Sequence, residues 1–136
     1  MYSPLDDLLG IHLHEVSPDR VTASLTLDPT RHHQPWGIVH GGLWCTVVET
    51  LASVAAHQSA PPGRVAVGVD NHTSFLRMMR EGTVTAEALP VTRGRTTQLW
   101  TVTIRDEEGK PVAQGTCRLL FVAADPASHG ADDPKP

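Results

Sequence analysis

The sequence predicts an α+β domain in which a mostly antiparallel sheet wraps around one long central helix. Three observations carry that prediction. One stretch only, from Gly42 to about Gln58, has a clear helical period, and it is apolar around most of its circumference. Four long segments after it read as strands, and two shorter ones precede it. No regular alternation of strand and helix exists to build a parallel sheet.

Taken in order, "SPLDDLLG" reads as a short helix, with Ser3 as its cap, Pro4 at its first position and Gly10 as its stop. "IHLHEV" and "RVTASLTL" flank the turn "SPD" and form a hairpin. Val21, Ala23, Leu25 and Leu27 take one face of its second strand; Thr22, Ser24 and Thr26 take the other. "DPTRHHQPWGIVHGG" is a loop by composition. The helix follows, with Leu43, Val47, Leu51 and Val54 in one row and Trp44, Val48, Leu51 and Ala55 in another. "SAPPG" ends it. The strands "RVAVGVDNHTSFL", "GTVTAEALPVTRG", "RTTQLWTVTIRD" and "PVAQGTCRLLFVAA" complete the chain, joined by turns at "MMREG", "TRGR" and "DEEGK".

The 136 residues fit one domain over 1–124, followed by a polar, Pro-containing tail over 125–136 that is expected to be disordered. Eleven basic against fifteen acidic residues give a formal charge of -4, which argues against a nucleic-acid partner. The two cysteines, Cys45 and Cys117, form no CxxC pair, as expected of a reduced, cytoplasmic chain. The first residues carry acids where a signal peptide has Lys or Arg, and no run of about 18 apolar residues is present to span a membrane. Eight histidines include "RHH", but no HExxH, HxH or His/Cys ligand set accompanies them, so neither metal nor redox cofactor is expected. A GxSxG elbow is absent, which argues against a Ser-His-Asp hydrolase.

The stretch "HQPWGIVHGGLWCTVVETLAS" holds the candidate chemistry. Glu49 is its single charge within the helix. A carboxylate there fits a solvent stripe, but the same face carries Cys45, Ser53 and Ala56 rather than further Lys, Glu or Arg. "HGG" (His40, Gly41, Gly42) stands at the helix entry, where amides lack internal partners and the dipole is positive. A carbonyl oxygen against the Gly41 amide would be polarised there; a sharp loop-to-helix turn explains the glycines equally.

These residues resemble the hotdog-fold acyl-CoA thioesterases, in the branch that includes the 4-hydroxybenzoyl-CoA, phenylacetate-pathway and 1,4-dihydroxy-2-naphthoyl-CoA enzymes. The resemblance runs from about Leu8 to Val122. It rests on Gln34 seven residues before Gly41, Gly41 eight before Glu49, and Ser53 four after Glu49. "DNHTSFLRMMREG" and "RGRTTQLWTVTIRDEEGKPVAQGT" resemble the family's later strands, although "RMMREG" lacks a proline common in relatives. The resemblance implies an acyl-CoA substrate, with Glu49 attacking the thioester or activating a water. It implies that Gln34 holds that water or the thioester, the Gly41 amide polarises the carbonyl with help from His40, and Ser53 orients Glu49. It further implies a site shared between the subunits of a homodimer, itself paired into a homotetramer. Substrate contacts are expected at Trp36, Gly42, Asn71, Arg93, Arg95 and Thr96. The two arginines and Thr96, in a turn otherwise read as a solvated hairpin tip, would meet the phosphates of coenzyme A. Trp36 and Trp44 fit an acyl pocket or plain core packing. An aromatic or medium-chain acyl group is expected. The competing readings are an enoyl-CoA hydratase, for which this helix lacks the Asp and His, and a non-catalytic acyl-CoA-binding module.

Overall fold

The computed structural model describes residues 3–125. The expected tail therefore lies outside the described residues, apart from Asp125. Helix α1 (Pro4–Leu9) is capped by the Ser3 hydroxyl and stops at Gly10, whose φ of 75° suits a residue without a β-carbon. Strands β1 (His12–Val16) and β2 (Val21–Thr26) form the expected hairpin, and Val21, Ala23 and Leu25 point into the core. The loop after them contains an element that composition hid. Asp28 caps a four-residue helix, α2 (Pro29–His32), with Pro29 in its first turn. Its last residue, His32, is buried: Nδ1 accepts from the Asp28 amide, so Nε2 donates to the Leu9 carbonyl.

Helix α3 (Gly41–Gln58) is followed by β3 (Arg64–Phe75), β4 (Thr83–Arg93), β5 (Thr97–Arg105) and β6 (Pro111–Ala123). The six strands form one sheet in the order β1-β2-β4-β5-β6-β3, and every neighbouring pair is antiparallel. Helix α3 lies across one face and touches all six strands. The connection 76–82 carries the chain from the β3 edge back past β6 and β5 to the middle of the sheet. It is held there by Leu76 and Arg77 amides on the Val112 carbonyl and by an Arg77–Asp106 ion pair of 2.6 Å.

The two apolar rows of α3 are buried by this one sheet, except for the half-buried Val54. Burial of each such Leu or Val contributes roughly 1.5–3 kcal/mol relative to exposure. Trp100 and Gln98 link the far end of the helix to β5: the Trp100 indole N–H donates to Gln98, whose amide donates to Ser59. Close packing also needs Gly115 on β6, where a β-carbon would stand 2.5 Å from the Thr73 hydroxyl and 3.0 Å from Val48. Among the described residues both edge strands, β1 and β3, have an unpaired outer side; β3 is the longer, at twelve residues, with Val69 and Phe75 more than half exposed. Among the described residues no helix is long and apolar enough to cross a membrane.

Candidate active site

The predicted residues separate into two groups on α3. The first gathers at its entry. His40 is the cap residue, and its Nδ1 accepts from the Gly42 amide at 2.9 Å while its carbonyl accepts from the Leu43 amide at 3.0 Å. The Gly42 amide is thus already engaged. The Gly41 amide makes no hydrogen bond within the described residues. Two loops fix this entry, since the His40 amide donates to the His32 carbonyl and the Val39 amide to the Met79 carbonyl. Gln34, Gly41 and Trp44 line a cleft of about 210 Å³ with Ile38, Phe75 and Met78. The need for glycine at 41 has a packing cause that sequence alone did not reveal: a β-carbon there would lie 2.3 Å from the Phe75 ring. Trp36, at the tip of the turn from Gln34 to Gly37, is 82% exposed and does not line the cleft.

The second group surrounds Glu49, about 12 Å further along the helix by its rise of 1.5 Å per residue. Glu49 is half-buried rather than fully enclosed. Its Oε2 accepts from Asn71 Nδ2 at 3.3 Å and from Cys117 Sγ at 3.2 Å. Asn71 and Cys117 are direct cross-strand partners on β3 and β6. The Asn71 amide also donates to the Cys45 carbonyl, and its Oδ1 accepts from Thr73, which fixes the amide's orientation. Glu49 Oε1 lies over Gly68, 1.9 Å from where a β-carbon would stand. Residues three apart on a regular strand face opposite sides. The register shift between Gly68 and Asp70 inserts one residue, so Gly68 and Asn71 both face the carboxylate. Ser53 sits one turn beyond Glu49, and the carboxylate's hydrogen bonds go to the sheet instead.

The remaining predicted residues lie elsewhere. Arg93 donates to Asp19 at 2.7 Å and to the Pro18 carbonyl, across to the β1–β2 turn. Arg95 and Thr96 are exposed in the β4–β5 hairpin, by the end of the sheet where Gln98 meets Ser59. Sequence reasoning missed Gly68 and Cys117 as neighbours of Glu49 and Phe75 as a neighbour of Gly41. A glycine inside an alternating strand is the one available sign of the bulge. Among the described residues no three His, Cys, Asp or Glu side chains come together as metal ligands.

Fold and family now define the class. The chain matches the thioesterase superfamily over residues 37–113 and belongs to that family. Its fold is the hotdog fold, and it is a thioester hydrolase. It is 35% identical over 102 residues to the proofreading thioesterase EntH of Cronobacter turicensis, covering 75% of this chain and 74% of that protein. The solved structure of Rv1847/MT1895 from Mycobacterium tuberculosis superposes with a TM-score of 0.86 at 40% identity, covering 91% of this chain and 100% of that one. The structure of thioesterase HI1161 from Haemophilus influenzae gives 0.81 at 34% identity, covering 88% and 82%.

Proposed function

We propose that the chain hydrolyses the thioester of an aromatic or medium-chain acyl-CoA to the free acid and coenzyme A, with Glu49 as nucleophile or general base. The observation that carries this reading is the separation of the two groups on α3. A carbonyl polarised by the Gly41 amide cannot also be attacked by Glu49 of the same chain, about 12 Å away along one rigid helix. Beside Glu49 runs the unpaired edge of β3. Two such edges joined antiparallel about a two-fold axis bring the entry loop of one subunit towards Glu49 of the other. The active unit is thus a homodimer with a continuous sheet, paired again into a homotetramer.

In that unit Gln34 and the Gly41 amide of one subunit hold the thioester, and the free amide stabilises the oxyanion as the tetrahedral intermediate forms. His40, whose Nδ1 accepts from Gly42, carries its proton on Nε2 when neutral and adds a second donor. Glu49 of the partner takes the proton of an attacking water, or attacks itself to give an anhydride that water then opens. The thiolate of coenzyme A leaves. Ser53, one turn from Glu49, orients the water from the interface side. Arg95 and Thr96, with Arg93 once released from Asp19, meet the phosphates. The acyl group enters the cleft lined by Trp44, Phe75 and Met78, whose 210 Å³ suits a ring or medium chain better than a long one.

Free-thiol release measured with benzoyl-, hexanoyl- and palmitoyl-CoA tests the reading. Turnover of the first two above the third is expected. A preference for palmitoyl-CoA would overturn the acyl assignment. Binding of all three without thiol release would overturn the hydrolysis of CoA esters in favour of a binding module.

A further inference from the structure

Among the described residues, every hydrogen bond to the Glu49 carboxylate falls on one of its two oxygens. Oε2 takes the Asn71 amide and the Cys117 thiol; Oε1 takes neither and rests over the bare backbone of Gly68. We propose that Asn71 and Cys117 are positioning residues, which hold Glu49 by Oε2 and leave Oε1 as the oxygen that reacts. This rests on the reading of Glu49 given above and replaces the substrate contact expected for Asn71.

Four features support it. Cys117 is fully buried, and burial, then the Glu49 carboxylate, push its thiol well above the ordinary range. It therefore remains a thiol at neutral pH and serves as a donor, not as a nucleophile. Asn71 cannot turn its carbonyl towards Glu49, because Nδ2 also donates to the Cys45 carbonyl, which can only accept, while Thr73 donates to Oδ1 at 2.7 Å. The two donors are a directly opposed cross-strand pair, so sheet hydrogen bonding sets their spacing. Finally, the bulge turns position 68 towards Glu49, glycine there leaves the room that Oε1 occupies, and the backbone has an unpaired edge beside it. One oxygen is tied to the sheet of its own chain; the other is turned to the edge where a partner's substrate would arrive.

Packing alone makes a different prediction from donation, and Cys117→Ser separates them. A buried hydroxyl packs no better than a methyl group, yet it donates more strongly than a thiol. With benzoyl-CoA as probe, Cys117→Ala is expected to lower kcat about ten-fold with KM changed less than two-fold, the size of one lost hydrogen bond to a charged group. Cys117→Ser should recover most of that loss although it melts no higher than the alanine variant. Asn71→Ala, at a half-buried position, should also lower kcat and spare KM. Equal kcat for the serine and alanine variants at 117 would overturn the proposal, as would a rise in KM without a fall in kcat for Asn71→Ala. Glu49→Gln is run beside them. If it stays active, the reading of Glu49 fails and takes this proposal with it; if it is inactive while the two 117 variants run alike, the positioning role alone fails.

Discussion

The entry of α3 and its third turn are built on opposite plans. At the entry an amide donor is left open while everything around it is tied: Gly42 to His40, His40 to His32, Val39 to Met79. At Glu49 an acceptor is held by half, with one oxygen bonded and the other resting on Gly68. One region supplies a fixed donor and the other a fixed acceptor, and a single straight helix keeps them about 12 Å apart. On the reading proposed above, these are the parts of a hydrolytic site, and within one chain they cannot close on a single carbonyl. On that reading, the difference makes the unpaired β3 edge part of the chemistry as well as of assembly.

Removing the acceptor should have the largest effect. Glu49→Gln keeps the side chain's size and is expected to lower kcat by roughly 10²-fold or more, a barrier increase of at least about 2.7 kcal/mol. Thiol-release turnover and melting temperature, measured together, should show lost rate without lost fold. Displacing the acceptor should come next. Gly68→Ala adds one methyl group at a position with no unusual backbone angle, but directly into Oε1. We expect kcat to fall roughly ten-fold, about 1.4 kcal/mol, while circular dichroism stays unchanged.

A change outside both regions should separate stability from rate. Gln98→Met leaves the buried Trp100 indole without its acceptor and should cost about 1–3 kcal/mol in urea unfolding, with kcat unaltered well below the melting point. The smallest effect concerns Asp28, whose carboxyl is held down to about 2 by the Thr30 hydroxyl first, then by the Thr30 amide and Arg31. A depressed carboxyl pKa contributes stability above the unfolded value and loses it as pH falls through the folded one. Asp28→Asn should therefore melt slightly lower than the parent at pH 6, and the gap should close between about pH 4 and pH 2.

Much of this architecture was legible because its signals are local. Helix α3 follows from three- and four-residue steps and was placed within one residue of its start at Gly41. The hairpin at β1–β2 and the cap at Ser3 follow from alternation and turn chemistry. Helix α2 was missed although Asp28 and Pro29 announce it, since the loop's His, Pro and Gly content dominated the reading. The apolar circumference of α3 points to cover on several sides, and one chain supplies it: the apolar rows are buried, and the exposed feature is a strand edge. Strand order leaves no trace in periodicity, so the return of β4 to the middle of the sheet was out of reach. The same limit hid Cys117 and Gly68, which neighbour Glu49 only through pairing and a bulge.

The account stands most directly on a mixing experiment. Gln34→Ala and Glu49→Gln, each impaired alone, are combined in equal amounts under conditions that exchange subunits. Half of the dimers then pair unlike chains, and each such dimer regains one site built from an intact entry loop and an intact Glu49. The account predicts recovery of about one quarter of wild-type thiol release per subunit. No recovery, with subunit exchange confirmed by differently tagged chains, would place the whole site within one chain and contradict it.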